Sequence, residues 1–62
     1  MTATILIVDD DPVQRRLLEA MIRRFGYESE TVDGGAAALD RMVQTDAVPV
    51  DLVILDLMMP LL

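Results

Sequence analysis

Acidic residues at two places in this chain could do chemistry. Asp9 and Asp10 follow the apolar run Thr4–Val8 (TILIV), with Asp11 next to them, and Asp56 follows a second apolar run, Asp51–Leu55 (DLVIL). If folding gathers these acids, they repel: two unit charges ~4 Å apart cost roughly 4 kcal/mol at an effective dielectric near 20. Such a group takes up protons or a cation. The chain has no histidine and no cysteine. Any metal site must therefore be built from oxygen, which suits Mg²⁺, Mn²⁺ or Ca²⁺. A carboxylate is also a nucleophile that forms an aspartyl phosphate. Phosphoryl transfer needs chiefly positioning and charge neutralisation, which a bound metal supplies. The expectation is one acidic pocket, made by Asp9, Asp10 and Asp56, that holds a divalent metal and offers a carboxylate to a phosphoryl group.

Simpler roles compete for each of these residues. Asp11 stands before Pro12 and reads as a helix cap. Taken singly, Asp9 and Asp10 fit capping or solvation equally well, and Asp56 alone reads as a turn residue. Only the combination points to a site. Met58 and Met59 read as packing residues, and Pro60 as a turn former. The Arg15-Arg16 and Arg23-Arg24 pairs read as a solvated helix face.

The elements that must position the acids follow from periodicity. Thr4–Val8 is short, β-branched and sharply bounded, as expected of a strand buried on both faces. Asp11-Pro12 starts a helix. Its apolar face comprises Val13, Leu17, Leu18, Met21, Ile22 and Phe25, and Gly26 stops it. Tyr27–Val32 (YESETV) is an outer strand of mixed polarity. Asp33-Gly34-Gly35 forms a turn able to cap a second helix over Gly35–Gln44. In that helix Leu39, Met42 and Val43 face inward, and Ala36–Ala38 permit close packing. Residues 45–49 form a loop, and Asp51–Leu55 is a third strand as apolar as the first. The order β-α-β-α-β predicts an α/β fold with a parallel sheet and right-handed crossovers. In such sheets ligands bind beyond the carboxyl ends of the strands. Adjacent strands lie ~4.8 Å apart, so a first and third strand side by side would bring Asp9, Asp10 and Asp56 together.

Composition narrows the function classes. A 62-residue chain buries only about 60% of its unfolded surface, and such small domains usually need a metal, disulfides or a partner. The absence of cysteine removes disulfides and fits a cytoplasmic location. The aromatic content, one Phe, one Tyr and no Trp, makes the core aliphatic. A net charge of −6 argues against direct nucleic-acid binding. No signal peptide is expected at the start, and no apolar stretch approaches the ~20 residues of a membrane span. All five basic residues are arginines.

The segments Ile-Leu-Ile-Val-Asp-Asp-Asp-Pro (5–12), Gly-Tyr-Glu (26–28) and Asp-Leu-Val-Ile-Leu-Asp-Leu-Met-Met-Pro (51–60) closely resemble the receiver domain of two-component response regulators. The likeness runs along the whole chain. It implies a flavodoxin-like parallel sheet in the order 2-1-3. It also implies Asp56 as phosphoryl acceptor, Asp10 as direct Mg²⁺ ligand with Asp9 assisting, and the backbone carbonyl of Met58 as a further ligand. The expected donor is a sensor histidine kinase or a small phosphodonor.

By the same resemblance, residues 1–62 correspond to the N-terminal half of a receiver, a truncated α/β unit. A Thr or Ser and a Lys that contact the phosphoryl group in the family fall beyond that half, and no lysine here substitutes. Leu61 and Leu62 also stand where a Gly or polar residue usually follows the proline. The expectations are a phosphoacceptor whose phosphorylation at Asp56 is slow or undetectable and which is not an enzyme, and a homo-oligomer formed through the exposed edge of strand three. The alternative is a self-associating structural half-domain without phosphotransfer. A phosphatase of the aspartate-nucleophile type would want an acid where Met58 stands.

Overall fold

The computed structural model of the chain describes residues 2–55. The element order is β1 (Thr4–Val8), α1 (Pro12–Arg24), β2 (Glu28–Val32), α2 (Gly35–Met42) and β3 (Leu52–Leu55). All pairing is parallel, in the order β2-β1-β3. The sheet and its order are those read from the sequence. Successive crossovers step in opposite directions along the sheet, so crossovers of the usual right hand put α1 and α2 on opposite faces.

The core lies along β1. Ile5, Leu6, Ile7 and Val8 are buried, as expected of a strand covered on both faces. Each such side chain contributes roughly 1.5–3 kcal/mol relative to exposure. β2 is mixed, with Ser29 buried and Glu28 and Thr31 exposed. β3 is as apolar as β1 but far less covered. Its Leu52 and Leu55 are more than half exposed, because among the described residues β3 pairs only with β1.

Both ends of α1 are set by local chemistry. The Asp11 carboxylate accepts the Val13 N–H at 2.9 Å, and Pro12 occupies the first turn, where its missing N–H costs nothing. At the other end Gly26 has φ +91°. There the Gly26 N–H donates to the Arg23 carbonyl and the Tyr27 N–H to the Ile22 carbonyl, the paired bonds of a Schellman stop. α2 begins differently from the expectation. Its N-cap is Gly34, with no side-chain cap bond, so Asp33 does not cap it. α2 also ends at Met42 rather than Gln44.

The helix faces depart from the sequence reading in three ways. The sheet meets only one flank of the apolar arc of α1, half-burying Leu18 and Ile22 while Val13, Leu17, Met21 and Phe25 stay exposed. Leu39, Met42 and Val43 do not face inward and are 68%, 52% and 72% exposed. Ala37, Ala38 and Arg41 are the half-buried residues of α2 instead. Small residues let the helix backbone approach the sheet, which leaves its larger side chains outside. Finally, the arginine pairs are not merely solvated. Arg15 reaches the carbonyl of Asp9 at 2.8 Å, and Arg23 Nε donates to Ser29 Oγ at 3.1 Å.

Two polar ties fasten β3 and the loop before it. The Asp51 N–H donates to the Thr4 carbonyl while the Thr4 N–H donates to Asp51 Oδ2, both at 2.8 Å. Arg41 grips Glu30 through both carboxylate oxygens, Nε to Oε1 at 2.6 Å and Nη2 to Oε2 at 2.9 Å, and Nη2 also donates to the Val48 carbonyl. One guanidinium thus joins α2, β2 and the loop leading to β3.

Candidate functional site: an acidic turn at the carboxyl end of the sheet

Pairing continues to the last residue of each strand. Val8 lies opposite Val32 of β2 and Leu55 of β3. The next residues in the sequence are all acids, Asp9, Asp33 and Asp56, and carboxyl ends are where open parallel sheets bind ligands. Asp56 and Met58 lie outside the described residues.

Asp9 is fully buried, which makes it unlike any other acid described. Its backbone N–H donates to the Val32 carbonyl at 3.2 Å, so β1–β2 pairing runs one residue past the strand. Its carboxylate Oδ1 accepts the Asp11 N–H at 2.9 Å, and its carbonyl accepts from Arg15 Nη1. A buried carboxylate is costly unless hydrogen-bonded or matched by positive charge. Asp10 is exposed, which leaves its carboxylate open to a ligand in solvent. Asp11 is the helix cap and is occupied as such. The structure therefore brings Asp9 and Asp10 together in one turn and gives Asp11 the role expected of it.

Asp33 and Arg15 were missed as parts of this region. Asp33 read only as a turn residue, although parallel pairing of β1 and β2 puts it at the same end of the sheet as Asp9. Arg15 read as surface, and no periodic pattern reveals that it bonds to the backbone of the turn. Among the described residues no three acids are grouped so as to hold a metal ion, so Asp33 does not complete a cage with Asp9 and Asp10. What the described residues do offer fits a hard divalent cation: oxygen donors alone, one carboxylate buried and hydrogen-bonded, its neighbour open to solvent. A depression of about 410 Å³, lined by Thr2, Ala3, Thr4, Val48, Pro49 and Asp51, lies at the opposite end of the strands and contains none of these acids.

This fold, with an acidic turn at the carboxyl end of its central strand, is that of a phosphorelay receiver. The chain belongs to the response regulator receiver domain family, whose model matches residues 5–62. It is 38% identical over 56 residues to the sensor histidine kinase RcsC of Salmonella typhimurium and of Escherichia coli, an alignment covering 90% of this chain and 6% of that protein. It is 37% identical over 60 residues to the DNA-binding response regulator MtrA of Mycolicibacterium smegmatis, covering 97% of this chain and 25% of that protein. The chain thus spans a small part of the relatives it matches. No solved structure matches it at the same stringency. No helix among the described residues is long and apolar enough to cross a membrane.

Proposed function

We propose that the chain is a phosphoacceptor module in which Asp56 receives a phosphoryl group beside a Mg²⁺ site made by Asp9, Asp10, Asp56 and the carbonyl of Met58. The observation that carries this reading is the pairing of Val8 with Leu55 in adjacent parallel strands. Asp56 is the next residue in the chain after Leu55, as Asp9 is after Val8. In the transfer, a carboxylate oxygen of Asp56 attacks the phosphorus of the donor. The new O–P bond forms as the donor's bond to phosphorus breaks, and the donor leaves with the electron pair. When bound, Mg²⁺ neutralises the oxygens of the group in flight. Asp10, exposed, is the ligand best placed to meet a hydrated ion, and Asp9 braces the turn from within.

The donor is a sensor histidine kinase or a small phosphodonor such as an acyl phosphate. The acidic balance, −6 overall, opposes direct contact with nucleic acid. The module is consumed stoichiometrically and is not a turnover enzyme, so p-nitrophenyl phosphate is not hydrolysed catalytically. Because these 62 residues contain no lysine to bind the incoming phosphoryl oxygens, transfer is slow. Incubation with acetyl phosphate and Mg²⁺, followed by intact mass spectrometry, is expected to show gradual, partial addition of one phosphoryl group. Asp56→Asn abolishes that addition. Addition that persists in the variant puts the acceptor elsewhere, and rapid stoichiometric addition shows that no lysine is needed.

A second reading rests on the exposed apolar residues of α1, α2 and β3: a self-associating half-domain whose assembly does not depend on the acids. It is favoured if the oligomer persists unchanged in Asp56→Ala and in chelator while no phosphoryl group is accepted.

A further inference from the structure

Arg15 holds the acidic turn at both ends. Its backbone N–H donates to the Asp11 carbonyl at 2.9 Å, as the first turn of α1 requires. Its guanidinium turns back and donates from Nη1 to the Asp9 carbonyl at 2.8 Å. Asp10 lies between these two carbonyls. The Asp9 carbonyl belongs to the peptide that joins Asp9 to Asp10, so holding its plane fixes where the Asp10 Cα sits, and the Asp11 N–H, bonded to Asp9 Oδ1, restrains the peptide that follows Asp10. Arg15 is half-buried, whereas its neighbour Arg16 is exposed and makes no bond of this kind among those described.

We propose that Arg15 is a positioning residue, holding the Asp9–Asp10 peptide so that the Asp10 carboxylate is presented to a divalent cation. The proposal rests on the reading of Asp9 and Asp10 as metal ligands. It makes a prediction of opposite sign to plain electrostatics. A guanidinium this near a cation site repels the cation, so its removal should tighten binding if charge were all that mattered. If positioning dominates, removal weakens binding despite the lost repulsion. Residues that orient metal ligands from behind typically contribute ~10- to 100-fold in affinity.

The test compares Arg15→Met, Arg15→Lys and Arg16→Met in the 62-residue chain by two measurements. The first is Mg²⁺ affinity, followed by titration of amide chemical shifts. The second needs no metal: hydrogen exchange of the Asp11 amide, which donates to Asp9 Oδ1, with the amides of Leu6 and Ile7 as a control for global stability. Arg15→Met is expected to weaken Mg²⁺ about 10-fold and to speed Asp11 exchange relative to the β1 amides. Arg15→Lys, which keeps a donor, recovers most of both, and Arg16→Met changes neither. Should Arg15→Met unfold, Arg15→Ala, which favours the helix and carries no donor, takes its place with the same expectation. Tighter or unchanged Mg²⁺ binding in Arg15→Met overturns the proposal, whether or not Asp11 exchange changes. If the wild-type chain shows no saturable Mg²⁺ binding, or Asp10→Asn leaves it intact, the metal reading fails. Arg15 is then judged on Asp11 exchange alone: faster exchange upholds its hold on the turn, and unchanged exchange refutes it.

Discussion

Single polar side chains set several of the joints between the elements of this small structure. The Glu30–Arg41 pair ties α2 to β2, and through Val48 to the loop before β3. Its hydrogen bonds to Arg41 hold the Glu30 carboxyl below its ordinary value, against a smaller opposing effect of burial, while Arg41 is pushed up by the same contact. A lowered folded value means that the stabilisation is complete above the ordinary glutamate range and is lost as pH falls through the folded value. Urea midpoints measured from neutral pH down into acid are therefore expected to show wild type above Glu30→Gln at neutral pH, with the gap closing below the usual glutamate titration. A gap that stays constant with pH rules out the ionised pair as its origin. Glu30 is partly solvated, so the gap is small. Nothing in the sequence exposes this pair, because Glu30 and Arg41 both occupy positions that read simply as polar. Their meeting depends on where α2 lands on the sheet. The cap at Asp11, by contrast, is legible because its partner is two residues away.

Elements bounded by local chemistry were legible from end to end. β1, the start of α1 and its stop at Gly26 follow from a β-branched run, an Asp-Pro pair and a glycine. Each depends on groups within a few residues of itself. Gly26 has φ +91°, and no atom lies within 4 Å of the place a β-carbon would take there. Gly26→Ala therefore meets no clash and is penalised by backbone conformation alone. Thermal or urea denaturation is expected to show a loss of about 1–2 kcal/mol. Asp11→Ala should cost about 1 kcal/mol through the lost cap. Asp33→Ala should cost nothing by that route, since Gly34 caps α2 without a side-chain bond. A loss in Asp33→Ala equal to that in Asp11→Ala would show that Asp33 does cap α2. Burial was legible only where a strand is covered on both faces. For α1 the apolar arc was read correctly, but which flank the sheet takes is set by the crossover and not by the arc. For α2 the periodic large residues misled, because Ala37 and Ala38 lie on the side that meets the sheet. The candidate site divides in the same way. That Asp9 and Asp10 follow the central strand at its carboxyl end was readable, whereas Arg15, which acts on a backbone carbonyl, was not; Asp56 lies outside the described residues.

At the scale of the whole molecule, two tendencies oppose each other. Val13, Leu17, Met21 and Phe25 on α1, Leu39, Met42 and Val43 on α2, and Leu52 and Leu55 on β3 are all exposed, far more apolar surface than single scattered side chains would give. β3 adds a strand edge, and an apolar edge is a template for another strand. Against association stands a net charge of −6, which repels like copies over distances near ~10 Å at 0.1 M salt and much less at higher salt. The 62-residue chain should therefore self-associate, and more so as salt is raised, the reverse of an assembly held by ion pairs. Size-exclusion chromatography with light scattering over a range of concentration and ionic strength measures this directly. Leu52→Lys places a charge on the edge strand and is expected to shift the distribution toward monomer. Lys substitution at Phe25, on α1, should do so less if the edge leads and more if the helix face leads. A single monomeric species at every concentration and salt would mean that the chain tolerates this surface alone, and edge pairing would then be abandoned as its means of stabilisation.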